Sequence, residues 1–467
     1  MRLAIAGSLV VAALTACTTV GPDYRRPNVA GSNGDWIDAA KTPGAVETRW
    51  WEVLHDSILD RLVAAAVERN LDVREIQAHL LEARASRDAA GARALAQIDA
   101  KASAGEIESS ANGQIPISRI PGFARRISLF DAGFDASWEL DLWGGVSRGL
   151  EGAAARVSAA QARVADVRLQ ATAETVRSYG ELRAAQERLA SQSADALIRS
   201  ALLSLVEQRW LAGESSKADV SNAALRAALA RAAVAGGAAD VRASMLRLAL
   251  LTGQPPEALI VDLSAMAPLP APPAIVATGI RSELLRRRAD VRVAEGELAA
   301  ATADIGVEQA NLFPRFAFGA SIGQQAQRLG DIGSSSSTRY QFGPSFSWPV
   351  FAAGRIRAQV RAAGARADVA AARYEKAVLS ALSDSETGVN RFAASQAVLS
   401  EREAALQRGG TLTELAAERF RAGEDDRLAL LEAQSAYRSV EQQLIASRLD
   451  NLSAFVALAK ALGGSWD

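Results

Sequence analysis

Two stretches of this chain, from about Val146 to Leu211 and from about Arg355 to Arg421, hold little proline or glycine to interrupt a helix. At 1.5 Å of rise per residue, about 65 residues span on the order of 100 Å, far beyond an ordinary domain. Composition agrees with helices of that length: 49% of the 467 residues are hydrophobic, with alanine the largest share, while aromatics make up only 5%. Small side chains suit long helices packed closely side by side better than a large globular core. Each stretch ends at a matching turn, Ala212-Gly213-Glu214 or Ala422-Gly423-Glu424, where glycine suits a helix C-terminus. Ser215-Ser216 and Asp425-Asp426 are placed to cap helices that return to Gly253 and Gly463.

The matching turns belong to a longer internal repetition. An offset of 210 carries Ser137-Trp138 onto Ser347-Trp348, Gly144 onto Gly354, Gln186 onto Gln396 and Arg209 onto Arg419. Upstream the offset becomes 218, aligning Asp72-Val73-Arg74 with Asp290-Val291-Arg292, so one connection between Ile98 and Ser137 is longer in the first half. A register held this long means a duplicated unit. The organisation expected is a leader over 1–16, an extended segment over 17–54, a first repeat over 55–253, a Pro/Ala linker over 254–277 and a second repeat over 278–467. Each repeat reads as helix, two strands and a long helical hairpin.

The strands declare themselves by alternation. From Leu129 to Leu142, Phe130, Phe134, Trp138 and Leu140 face one way, while Asp131, Asp135 and Glu139 face the other. Tyr340, Phe342, Phe346 and Trp348 repeat the pattern, as do Phe316, Phe318 and Ile322. A fourth candidate, Ile98 to Ala104, alternates only alanines with Asp99, Lys101 and Ser103. Strands of about 10 residues with one apolar and one polar or tiny face match transmembrane barrel staves. An amphipathic sheet covering a soluble core is the alternative, but no further apolar layer follows to cover it. Four strands cannot close a barrel, and open edges in lipid leave backbone groups unpaired, so closure requires several chains.

The N-terminus carries Arg2, an apolar run from Leu3 to Leu14, and then Leu14-Thr15-Ala16-Cys17. This reads as a secretory signal, too short to span a membrane, and its end resembles a bacterial lipobox in which Cys17 is lipidated. No later segment offers the roughly 20 apolar residues of a membrane helix. With one cysteine and two histidines, His55 and His79, disulfide frameworks and Cys/His metal cages are excluded. Lys+Arg 52 against Asp+Glu 53 also excludes a polybasic nucleic-acid binder. Surface or packing roles suit both histidines, and no nucleophile or paired carboxylates stand out for an enzyme. Trp138, Trp143 and Trp348, just before the long helices, suit an aromatic belt at a membrane interface.

Several motifs then fall in a telling order: Val20-Gly21-Pro22-Asp23-Tyr24-Arg25-Arg26-Pro27, Trp50-Trp51, Asn70-Leu71, Glu283 to Arg292 (ELLRRRADVR), Leu312-Phe313-Pro314, and Arg419 to Gly423 followed by Leu430 to Gln434. In this the chain resembles the outer-membrane factor family of efflux pumps, with its TolC-like fold, and in particular the NodT-type lipoproteins that serve tripartite pumps of the resistance-nodulation-division type. The resemblance covers nearly the whole chain. It implies a mixed α and β membrane protein: a homotrimer whose chains each give four strands to a twelve-stranded barrel, continued by a helical tunnel across the periplasm of a Gram-negative cell. It implies passive export of drugs, toxic compounds or metal ions, with a periplasmic adaptor (membrane fusion protein) and an inner-membrane transporter as partners, outer-membrane lipid around the barrel, and no cofactor beyond the lipid on Cys17.

By the same resemblance, Arg421 and Glu432 match positions that hold a closed periplasmic aperture through charged contacts, and Leu428 matches a hydrophobic constriction. Asp425 and Asp426 join them at the second turn, either as gate charges or as caps of an exposed hairpin. Ser435 replaces a basic residue usual there. Asp131, Asp135 and Glu139 are the candidates to line the barrel lumen. Two other readings remain open on the sequence: the outer-membrane channel of a type I protein-secretion system, and a non-conducting periplasmic coiled-coil scaffold.

Overall fold

The computed structural model describes residues 19–29, 31, 36–37, 49–110, 124–277 and 279–464. Cys17 and the leader over 1–16 lie outside them. Asp56 starts the first helix, α1 (Ser57–Arg69), by accepting the amides of Ile58 and Leu59 at 2.9 and 3.1 Å. After α2 (Leu71–Ala92) come β1 (Gln97–Glu108), β2 (Arg126–Leu140), the 67-residue α3 (Gly145–Leu211) and the returning α4 (Lys217–Leu251). A short helix, α5 (Ile260–Ser264), interrupts the connection to α6 (Arg281–Arg287) and α7 (Ala289–Ala310). Strands β3 (Arg315–Ala326) and β4 (Thr338–Ser347), the 68-residue α8 (Arg355–Ala422) and α9 (Arg427–Ala461) complete the order. No helix among the described residues is long and apolar enough to cross a membrane.

The strands are longer or shorter than alternation suggests, for identifiable reasons. β1 continues to Glu108 because its register brings Glu106 and Glu108 to Arg125 and Arg126, with ion pairs of 3.1 to 3.4 Å. β2 stops at Leu140, two residues before the expected end. There the Asp141 carboxylate accepts the amides of Val146 and Ser147 at 3.0 and 2.7 Å and so opens α3 instead. β4 stops short of Trp348 because its ladder ends where Ser347 meets Arg315, the first residue of β3.

The chain forms two compact units, each drawing on both halves of the sequence. The first comprises residues 1–27, 81–159 and 294–374. It holds the antiparallel sheet, in the order β1-β2-β3-β4. The indole of Trp138 donates to the Ala94 carbonyl at 2.9 Å and that of Trp348 to Leu312 at 3.1 Å, so each fixes the turn that leads into a neighbouring strand. Trp143 stacks on Phe313 at 4.6 Å and donates to Pro314. The start of the described chain is strapped to the same unit. Val20 donates its amide to Trp143, and the buried Arg148 donates to the carbonyls of Val20 and Gly21 and to Asp23. Thr19 lies against Gly144, where no side chain fits.

The second unit comprises residues 28–80, 160–293 and 375–467. Trp50, Phe455 and Phe392 meet at 5.8 and 5.9 Å, and Leu59, Leu248 and Leu452 are fully buried in the same unit. Asn70 caps α2 through Asp72 and Val73 while its amide reaches the Leu251 carbonyl; Arg288, at the junction of α6 and α7, reaches the Ala461 carbonyl in the same way. The linker is held by Gln186 on Leu263, Arg183 on Ala265 and Gln396 on Ala274, at 2.8 to 2.9 Å. Gly213, Gly253, Gly423 and Gly463 all adopt φ between 65° and 82°, as helix-ending glycines should. Gly213→Ala should therefore cost about 1–2 kcal/mol for a left-handed alanine, because nothing lies within 4 Å of its added methyl. Gly253→Ala should cost more, since there the methyl runs into the Arg69 carbonyl. Circular-dichroism melts compare the two, and equal losses contradict this account.

Candidate functional site

The sheet has two unlike faces. On one, Phe134, Trp138, Phe318, Ile322, Tyr340, Phe342 and Phe346 are between 44% and 74% exposed, with register placing Phe134, Ile322 and Tyr340 side by side. Among the described residues no second layer covers these rings, which is the condition of a surface that meets hydrocarbon. The other face carries Asp99, Lys101, Asp131, Asp135, Ser321, Gln341 and Arg339 in register. Asp131 receives both Nε and Nη2 of Arg339 at 2.8 and 2.6 Å and Gln325 at 2.9 Å. Lys101 reaches Asp135 at 2.9 Å. Arg339 crosses β3 at Gly323, which sits opposite Gly133 and puts no side chain in its way. An added methyl at Gly133 would lie 2.5 Å from the Ile322 carbonyl oxygen, so this pair also lets β2 and β3 approach closely. Glu139, the third lumen candidate, has no hydrogen-bond or ion-pair partner among the described residues. Among the described residues β1 and β4 each have one neighbouring strand, leaving two open edges.

The helical turns sort the gate candidates. Arg421 and Glu432 are exposed and have no ion-pair partner within the described chain, and Leu428 is half-buried in the first turn of α9. The structure therefore does not bring Arg421 and Glu432 together in one chain. Asp425 accepts from Arg419 at 3.0 Å. Asp426 caps α9 by accepting the Ala429 amide at 2.9 Å and binds Arg209, at the end of α3, at 2.8 Å. That guanidinium first, and the backbone amide after it, hold the Asp426 carboxyl below its usual range. Ser435 is buried and donates to Asp195 at 2.5 Å. Sequence reasoning passed over Arg209 and Arg339 as partners. The repeat offered a signal for the first, since Arg209 and Arg419 are counterparts and each serves one of the adjacent acids at the second turn. Of the histidines, His79 is exposed beside Glu75, and His55 closes the turn before α1 with φ 51°.

A sheet with an exposed apolar face and helices of this length suit a membrane channel. Residues 62–254 and 280–464 match the family model for outer membrane efflux proteins, and the chain belongs to that family. It is an outer-membrane efflux channel component, and members of the family are transport channels. The pyoverdine export outer membrane protein OpmQ of Pseudomonas aeruginosa is 29% identical over 458 residues, covering 97% of this chain and 95% of that protein. Nodulation protein T of Rhizobium leguminosarum bv. trifolii is 27% identical over 97% of this chain and 96% of its own length. Among solved structures, the outer-membrane channel OprN superposes with a TM-score of 0.84 at 35% identity, over 96% of this chain and 99% of that one.

The depressed Asp426 carboxyl fixes a sign. Its bond with Arg209 contributes above the ordinary carboxylate value of about 4 and is lost as pH falls through the lower folded value. Between pH 5 and pH 3 the melting temperature of the wild type should fall further than that of Asp426→Asn, which keeps the cap without the charge. Parallel pH profiles would remove the ion pair from the account.

Proposed function

We propose that three copies of this chain close their four-stranded sheets into a twelve-stranded barrel in the outer membrane, with the helices continuing as a periplasmic conduit. The observation that carries this reading is the sheet itself, with an exposed apolar face and two unpaired edges that lipid does not tolerate. Two family-model segments and the twofold run of elements support an internal duplication with repeats over 55–253 and 278–467 about the 254–277 linker.

Asp131, Asp135 and Glu139 then line the lumen, and compounds enter from the helical turns. Arg421 and Glu432, without ion-pair partners among the described residues, pair between copies, with Leu428 as the constriction and Asp425 and Asp426 holding the turn in shape. A periplasmic adaptor and an inner-membrane pump of the resistance-nodulation-division type hand over the cargo: drugs, toxic small compounds or metal ions. Cys17 carries the acyl anchor. The seat of Thr19 at Gly144, next to the Trp143–Phe313 stack, supports its entry into the bilayer at the helix end of the strands.

Native mass spectrometry in detergent should give a trimer, and planar bilayers should show ion conductance. A non-conducting monomer sinks the proposal. Glu432→Ala should raise conductance by loosening the closed aperture, and a value equal to wild type rejects the gate role of that residue.

A further inference from the structure

The charges on the polar strand face are unevenly spent. Asp131 is taken by Arg339 and Gln325. Lys101 binds Asp135, while Asp99, directly opposite Asp135 across the β1–β2 register and two residues from Lys101 on its own strand, competes for the same ammonium. Glu139, next to the end of β2, has no hydrogen-bond or ion-pair partner among the described residues. Arg315 is the other cation at that end of the face, and it donates to Asn311. Among the described strand residues of this face, four carboxylates thus stand against three cations. The surplus falls on Asp99 and Glu139 near the strand ends that join the helices, whereas Asp131 with Arg339 is neutral.

We propose that Asp99 and Glu139 are the residues that set the charge preference of the barrel, forming a cation-favouring collar at its helix-proximal end while the Asp131–Arg339 pair contributes none. This rests on the trimeric barrel reading, in which threefold symmetry multiplies one net negative charge to three around a single aqueous path. Fixed charge lining such a path raises the local concentration of its counter-ion, most strongly when the Debye length is comparable with the lumen radius.

The test is the zero-current potential of the purified full-length protein in planar bilayers under a KCl gradient, for wild type and two double variants of opposite design. Asp99→Asn with Glu139→Gln removes the surplus and leaves Arg315 in excess. The potassium-to-chloride permeability ratio should fall about twofold or more at ionic strength near 0.1 M, where the Debye length is about 10 Å. Asp131→Asn with Arg339→Gln removes one charge of each sign and should leave the ratio at the wild-type value. Glu139→Gln alone should move the ratio part of the way, which keeps the assignment testable if the first double variant inserts poorly. Conductance whose potential is unmoved by the carboxylate variants, or moved equally by the neutral pair, overturns the assignment and leaves the barrel standing. A wild-type protein that inserts without conducting overturns the barrel and the collar together.

Discussion

Backbone groups that leave water must find partners, and a four-stranded antiparallel sheet meets that demand only in its interior. The edges β1 and β4 are each left with a row of donors and acceptors, and the apolar face between them is exposed ring after ring. In water such a surface aggregates; in hydrocarbon the face is satisfied but the edges are not. Closure by further copies answers both conditions at once, which is why the need for further copies follows from the sheet and not from the helices. The strand lengths, 10 to 15 residues, suit the thickness of a bilayer crossed at a tilt.

Positions 210 or 218 residues apart perform the same physical task, twice with the same residue and once with different chemistry. Trp138 and Trp348 both lend an indole N–H to a carbonyl just ahead of a neighbouring strand. Gln186 and Gln396 both hold the linker backbone. Asn70 and Arg288 both reach the last turn of a returning helix, one with an amide and the other with a guanidinium. The exchange is not neutral in charge, and Arg288 consequently gathers Asp290 and Asp384 beside it. Burial raises the cost of every unpaired polar group, so a substitution at such a junction brings its own counter-charges.

At the helical turns the charges divide into those already used and those left over. Asp425 and Asp426 are occupied by Arg419 and Arg209 and by a helix cap, which makes them parts of a rigid tip. Arg421 and Glu432 are left without ion-pair partners among the described residues. That division separates residues that shape the tip from residues available to a neighbouring subunit, and it could not be read from a run of acids and bases in sequence.

Much of the molecule was legible in one dimension because its causes are local. Long uninterrupted alanine-rich runs set the two great helices to within a residue, helix-ending glycines set their turns, and period-two alternation set the strands and their faces. The family followed from motifs in order along the whole chain. What the sequence left open was decided by contacts between residues far apart in it. The weakest alternation, at β1, became a full strand because Arg125 and Arg126 lie across from Glu106 and Glu108. Which carboxylate of the polar strand face is matched by a cation was settled in part by Arg339 reaching 208 positions along the chain to Asp131, over a glycine whose identity alone says nothing of the crossing. Alternation and helix length are properties of neighbouring residues, whereas pairing depends on strand register and side-chain reach, and these exist only once the chain has folded.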